Sequence, residues 1–479
     1  MLATAYLGYP HYLSPGDNSW QLTAATLVGL MSLPGLAVLY GGIVKRKWAV
    51  NTMVMAFSAF AVVLVVWVLW AYEMSFGHSL VHLGSAMRGT VVGRPGPALG
   101  HLLEQSRAVV PQASDLPGPA LRLPGSSLVY FQFVFAAITP LLFLGSVLGR
   151  MSLKAWLIFV PLWTTFAYTV NAMLLWGGGL WAQAGALDYS GGYVIHLAAG
   201  TTGFVAAAVI GPRLRSDRES FRPNNLLLVA AGAGILWLGW NGFNGGDPYF
   251  ASADAAAAVL NTNLAAAVAL LVWLVLDTFA GPKRASFLGS VNGLIVGLVA
   301  ITPAAGFVDG YGALAIGVVS SGVVWCSFTL APRRFSFLSK VDDALGVVHT
   351  HGVAGLLGGL LVGVFADPRM IEYPVSRAGK GLLPATGAAG LLYGNPRQLL
   401  VQAGAALTVI CWDALVTYGL LKFIDKVLKV PLCFSAVELE GGDAVIHHEQ
   451  VAPPETEPHP EDEESREPVL VPAAARQVS

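Results

Sequence analysis

The sequence predicts an all-α integral membrane protein. Eleven transmembrane helices are expected, as two inverted five-helix repeats plus a final helix, N-terminus outside and C-terminus inside. Three observations carry this prediction: a shortage of charge, eleven apolar stretches, and a one-sided distribution of lysine and arginine among the connections. Of 479 residues, 55% are hydrophobic and 11% charged, where a soluble domain carries about 25% charged residues. With a net charge of -1, this excludes an ordinary soluble enzyme, a disordered chain and a basic nucleic-acid binder. Glycine is abundant, at 55 residues without a collagen-like period, which suits close helix contact in lipid. Cys326, Cys411 and Cys433 lie far apart and offer neither a metal spacing nor a disulfide framework.

A bilayer core takes roughly 20 apolar residues of helix. The candidate spans are 20–43, 49–72, 127–149, 155–176, 191–212, 225–246, 253–279, 286–303, 310–331, 342–366 and 398–421. Pro34 and Pro140 interrupt two of them, which is tolerated where neighbouring helices re-satisfy the backbone. Basic residues follow the odd spans. They are Lys45, Arg46 and Lys47, then Arg150 and Lys154, then Arg213, Arg215, Arg218 and Arg222, then Lys283 and Arg284, then Arg333, Arg334 and Lys340. The short connections after spans 4, 6 and 8 have none. The positive-inside rule therefore assigns odd-to-even connections to the cytoplasm.

Residues 1–19 are then an extracellular N-terminus without the basic and apolar regions of a cleavable signal. Residues 20–428 form the membrane domain. Its long outer connections, 77–126 and 367–397, read as structural covers, the first with a weak helical pattern over Leu99–Val110. Residues 429–479 form a cytoplasmic tail. It turns acidic between Glu455 and Glu464 among prolines, a composition that predicts disorder toward its end.

Spans 5 and 10 carry a matching phrase. One reads Asp188-Tyr-Ser-Gly-Gly-Tyr-Val-Ile-His196 with Gly200 beyond; the other reads Asp343-Ala-Leu-Gly-Val-Val-His349-Thr-His351 with Gly355 beyond. In both, a carboxylate precedes a histidine by eight residues and a glycine follows it by four. Opposite directions for the two spans suggest the inverted repeats, and transporters place sites where such repeats meet. An ionisable group inside a span is a functional candidate because burying charge in lipid is costly. Histidine is the cheapest, since its neutral form is accessible near neutral pH. If the repeats face each other, His196 and His351 converge, and neutral imidazoles share one proton, donor to acceptor. The competing reading is a pair of packing histidines bonded to backbone. A metal site is not expected, because His349 and His351 point to different helix faces and no third ligand completes a set.

At these residues the chain resembles the Amt/Mep/Rh ammonium transporter superfamily, with the closest likeness to its Mep-type branch. The phrases are Gly16-Asp-Asn-Ser-Trp-Gln-Leu-Thr-Ala, Leu39-Tyr-Gly-Gly-Ile-Val-Lys-Arg-Lys-Trp, Trp176-Gly-Gly-Gly, the His196 phrase, Gly242-Phe-Asn-Gly-Gly, Asn261-Thr-Asn-Leu and Ile301-Thr-Pro-Ala-Ala-Gly. The resemblance spans roughly Asp17 to Glu449. It implies a multi-pass protein of the cell membrane, a homotrimer with one narrow pore per subunit, no cofactor and no enzymatic activity. Trp176 matches an outer recruitment aromatic, whose indole face attracts a cation; an interfacial belt tryptophan is the alternative. Phe135 and Phe243 match two stacked gate rings, with ordinary aromatic packing as the alternative. Trp240 matches a pore-lining aromatic, and His196 and His351 match the family's twin histidines. Asp188 matches a carboxylate near the mouth, read as structural support.

Three residues depart from the pattern. Asp247 stands where many members carry a serine, either binding the recruited cation or acting as N-cap before Pro248. Asp413, in the apolar run of span 11, is read as bonding to neighbouring helices. His349, where aromatic residues are common, is placed at the cytoplasmic pore exit. The stretch around Gly442, Asp443 and His447 resembles a cytoplasmic regulatory segment, implying coupling between subunits and a P_II-type partner.

The mechanism expected is recruitment of ammonium, deprotonation near the gate, and passage of ammonia past the histidines, with the proton following along the imidazoles. The alternatives are a Rh-like channel passing neutral gas and an ammonium sensor with little transport. No nucleic-acid partner is expected.

Overall fold

A computed structural model of the chain describes residues 10–83, 89–109, 120–219, 223–335, 340–370, 375–377, 380–383 and 388–451. Its frame among these residues is a set of apolar helices. We number them α1 Pro15–Ile43, α2 Arg46–Phe76, α3 Gly125–Val147, α4 Leu153–Ala184, α5 Gly192–Ile210, α6 Leu226–Gly245, α7 Ala253–Phe279, α8 Phe287–Ile301, α9 Gly310–Thr329, α10 Val348–Phe365 and α11 Pro396–Lys426. Ten are long and apolar enough to cross a membrane; α8, at 15 residues, is shorter. It rises only about 22 Å before handing over to a turn at 302–307.

The ends follow from capping chemistry. Ser14 caps α1, its hydroxyl accepting from the Asp17 amide at 3.3 Å, with Pro15 in the first turn. This moves the start five residues ahead of the expected 20, so Asp17 and Asn18 belong to the helix and not to an N-terminal arm. Ser152, Asn225, Ser252, Ser286 and Asp309 cap α4, α6, α7, α8 and α9 in the same way. The largest shift among the helix starts is at α10, which begins at Val348 rather than 342. The Asp343 carboxylate there reaches forward to accept from the Val348 amide at 2.8 Å, so the residues between them form a loop. Wide π-helical turns interrupt several helices: Met31–Gly35 around Pro34, Thr164–Tyr168 after Pro161, Gly192–Leu197 and Val348–Val353.

α3 is buried along nearly its whole length. Phe131, Phe133, Phe135 and Phe143 all lie in its core-facing surface. Among their described residues the expected covers are built mainly of short paired strands. In 77–126, Ser79–His82 pairs antiparallel with Thr90–Gly93 and Arg107–Val109 with Ala120–Pro124; within Leu99–Val110 a single helical turn, His101–Glu104, remains. In 367–397, Val375–Arg377 pairs with Lys380–Leu383. The acidic run Glu455–Glu464 lies outside the described residues.

The basic connections gather at one end. Lys45 and Lys47, after α1, pair with Asp217 after α5 at 3.3 and 3.2 Å. Arg213, after α5, grips Asp342, before α10, with Nε and Nη2 at 2.9 and 2.8 Å. The buried Arg150, after α3, donates to the Ser146 carbonyl and lies 3.9 Å from Asp342. Burial raises the Asp342 carboxyl, but the Arg213 bonds and charge outweigh it and hold the group below its usual range. A depressed carboxyl stabilises the fold fully above the unfolded value, about pH 4, and loses that contribution as pH falls through the folded value. Asp342→Asn is therefore expected to lower stability by about 2 kcal/mol at pH 7 and to make progressively less difference as pH falls through the folded value. Thermal unfolding in detergent across pH checks this; equal melting temperatures at pH 7 would refute it.

The tail docks at the same end. Ser435 and Glu438 form a reciprocal capping box. Asp443 accepts from the amides of Val50 and Asn51, at 2.7 and 2.9 Å, where α2 passes from a 3-10 turn into α-helix at Ala49. His447 Nε2 lies 3.1 Å from the Asn51 amide oxygen. Gly442 sits at φ 61°, where a Cβ would fall 2.4 Å from the Lys47 carbonyl oxygen.

Candidate functional site

The matching phrases of α5 and α10 build the same local structure twice. Gly191 and Gly346, five residues before each histidine, both take positive φ, at 103° and 76°, which favours glycine. The chain then enters a π-helical turn that carries the histidine, Gly192–Leu197 in one case and Val348–Val353 in the other. Asp188 Oδ2 accepts from the amides of Tyr193 and Val194 at 3.1 and 3.0 Å, and Asp343 does the equivalent for Val348. Each carboxylate thus satisfies orphan donors at a helix start. The two helices cross on glycine: a Cβ on Gly200 would meet Gly352 Cα at 2.2 Å, and one on Gly355 the Gly192 carbonyl oxygen at 2.6 Å.

That crossing brings the two imidazoles together. His196 Nδ1 and His351 Nδ1 are 3.2 Å apart, with ring centroids 5.3 Å apart and planes 26° from parallel. Neither carries a charged neighbour within bonding distance, so one ring donates and the other accepts. His196 Nε2 is buried with no protein partner.

From His196 an aromatic series runs toward Trp176. Trp240 stacks on His196 at 5.4 Å and 18°, its indole N–H held by Thr302 Oγ1 at 2.9 Å. Phe243 lies 6.0 Å from His196 and stacks on Phe135 at 4.4 Å and 16°. Phe135 meets Trp176 edge-on at 6.0 Å. The Trp176 N–H donates to the Asp188 carbonyl oxygen at 2.7 Å, which fixes the plane of the ring. The structure thus joins six predicted residues, Trp176, Phe135, Phe243, Trp240, His196 and His351, into one continuous apolar column.

Asp188 and Asp247 flank the Trp176 end. Burial pushes the Asp188 carboxyl up to about 7, against the amides of Gly191 to Val194, which pull it down. Burial also pushes Asp247 well above the usual carboxylate range; the nearby Ser190 hydroxyl opposes this and the Asp188 charge adds to it. The helix-cap reading of Asp247 is not what forms. Residues 246–248 make a turn, and the cap of α7 is Ser252, whose hydroxyl accepts from Ala255 at 3.4 Å. Asp413 lies away from the column, its two oxygens accepting from Asn171 Nδ2 on α4 at 3.1 and 2.9 Å. Gly442 and Asp443 lie at the basic end, on α2.

Sequence reasoning missed Thr302, which orients Trp240, and Ser190, which faces Asp247. Thr302 belongs to the phrase Ile301-Thr-Pro, so its signal was present without its partner. Among the described residues no three His, Cys, Asp or Glu side chains gather as a metal-holding group.

Comparison with known proteins adds an independent line. The profile of the Ammonium Transporter Family matches residues 19–452. Ammonium transporter 3 member 1 of Oryza sativa subsp. japonica is 47% identical over 460 residues, covering 93% of this chain and 89% of the relative. Ammonium transporter 2 of Arabidopsis thaliana is 48% identical over 443 residues, covering 92% and 89%. Among solved structures, Mep2 of Saccharomyces cerevisiae superposes with a TM-score of 0.73 at 30% identity, covering 89% of both chains.

Proposed function

This chain belongs to the ammonium transporter family, and from that premise we propose that it recruits ammonium beside Trp176, strips its proton and passes ammonia along the aromatic and imidazole column. The observation that carries this reading is the pair of imidazoles 3.2 Å apart at the end of an apolar column. Ammonium and potassium are alike in charge and size, so a cavity alone separates them poorly. A bare ion entering such a column faces tens of kcal/mol by Born solvation, whereas a neutral polar group faces about 2–7 kcal/mol. Ammonium can take the cheaper route by leaving its proton behind; potassium cannot.

In this reading Trp176 offers the cation a ring face whose N–H is already engaged, and Phe135 with Phe243 forms the gate. Trp240 lines the pore. His196 and His351 carry the proton from ring to ring while ammonia moves past them. Asp188 holds the start of α5 so that His196 faces His351. The matched geometry of α5 and α10 supports two inverted five-helix repeats with α11 appended. The gathering of basic connections supports an N-out, C-in orientation, a domain spanning 20–428 and a cytoplasmic tail from 429. We also propose a homotrimer, and a tail in which Gly442 and Asp443 couple α2 to regulation by neighbouring subunits or a P_II-type partner.

Asp247 supplies a specific test of recruitment. A cation beside Asp247 favours its ionised form against burial, and the carboxylate then holds that cation more firmly than the serine common in the family, by charge-assisted contact. Asp247→Ser is expected to raise the apparent KM for ammonium about fivefold while the maximal rate stays equal or rises, because ground-state binding is what is lost. Uptake by a transporter-deficient microbe on limiting ammonium measures both. An unchanged KM would remove Asp247 from the recruitment site. Ammonia flux without ammonium-evoked current in proteoliposomes would reject proton carriage in favour of a neutral channel.

A further inference from the structure

Beyond His351 the column continues as a gap of about 30 Å³ lined by Tyr40, Leu288, Asn292, Leu345, Thr350 and His351 itself. That is room for a water or two, with the Asn292 amide and Thr350 hydroxyl as partners. The gap shares Leu288, Asn292 and Leu345 with a wider cavity of about 660 Å³ at the basic end. The wider cavity is also lined by His349, Asp343, Asp342 and Asp277 and, among its described residues, by no lysine or arginine.

Two residues before His351, which lines the gap, His349 lines the wider cavity. Its Nδ1 lies 2.8 Å from Ser327 Oγ on α9, and its ring packs edge-on against Phe328 at 5.4 Å. One nitrogen is therefore anchored and the other is left to the cavity side of the ring. The acidic groups around it are not equivalent. Asp342 is gripped by Arg213 and lies near Arg150. Asp277 on α7 accepts from the Trp325 indole at 2.8 Å. Burial raises the Asp343 carboxyl above its usual range, opposed by the Val348 amide, the Ser146 hydroxyl and a charge on His349.

We propose that His349 is the residue that returns the proton to ammonia as it leaves the apolar column. This rests on the proton-carrying reading above. The imidazolium of His349 gives up one N–H proton; that bond breaks, a new N–H bond completes ammonium, and the ring is left neutral. The proton delivered through His351 and the gap water recharges it, so ammonia and one proton leave together as one ammonium ion. Asp343 and Asp277 then favour the newly formed cation over ammonia at the exit.

The test is current across proteoliposomes with the pH of the two sides varied separately. His349→Gln keeps a side chain able to bond Ser327 but cannot hold a transferable proton. It is expected to lower the ammonium current about tenfold and to flatten its dependence on the pH of the cavity side. The dependence on the opposite pH and the exclusion of potassium should stay as in the wild type. Ser327→Ala, which frees the anchored nitrogen, is expected to shift the cavity-side pH midpoint while retaining current; it decides the matter if His349→Gln does not fold. Wild-type current and an unaltered cavity-side profile in either variant would overturn the role of His349 alone. A wild-type protein that passes ammonia with no current would overturn it together with the reading on which it rests.

Discussion

Replacing either column imidazole by alanine will cut ammonium-evoked current by one to two orders of magnitude, and replacing both will do little more. His196 and His351 are each other's hydrogen-bonding partner on Nδ1, between Trp240 on one side and the narrow gap on the other. Remove one ring and the survivor is left with Nδ1 unpaired, a loss of about 1–3 kcal/mol, or roughly 5- to 150-fold. It also has no neighbour to receive a proton, so the second substitution removes something that no longer works. Groups acting as one unit show this non-additivity. The measurement is current and growth on limiting ammonium for His196→Ala, His351→Ala and the double variant. Single variants at wild-type current, or losses that multiply in the double, would mean that the two rings act separately or not at all.

Gly200→Val will prevent the bundle from forming. A Cβ there would sit 2.2 Å from Gly352 Cα and 2.4 Å from Gly352 N. Ordinary overpacking costs about 1–3 kcal/mol because side chains can turn aside. Here the obstacle is backbone on both sides, so α5 and α10 must separate as bodies and take His196 and His351 with them. We expect no monodisperse protein from Gly200→Val, and from Gly200→Ala a lowered melting temperature with disproportionate loss of current. The control is Gly234 in α6, where a Cβ meets nothing within 4 Å. Gly234→Ala should be neutral, or stabilising by up to about 1 kcal/mol through helix propensity. Equal yields of Gly200→Val and Gly234→Ala would show that the crossing is looser than described.

Much of this was legible in the sequence, for identifiable reasons. Apolar run length is a strong signal because the bilayer sets it, so ten of the expected spans reappear as long helices and α8 as a shorter one. The Asp–His–Gly spacing could be read twice in one chain, and it brings together the residues it singles out. Three features were hidden. The π-helical turns under both histidines use residues that an α-helix would also accept; only Gly191 and Gly346 hint at them. The covering connections pair as short strands through bulged registers, which leaves no clean alternation to find. Asp247-Pro248 has the local signature of a helix start, yet the chain bends for five more residues before Ser252 provides it. The end of α10 moved because the Asp343 carboxylate sets where that helix begins, a contact that periodicity does not encode.

The cap that Asp443 places on α2 sets an order of assembly. Two amides near residue 50 wait for an acceptor synthesised almost four hundred positions later. Until residue 443 has emerged, the second helix begins in an unfinished turn, open to water or to competing acceptors. That end of the bundle is thereby completed only after the eleven helices numbered here have been made.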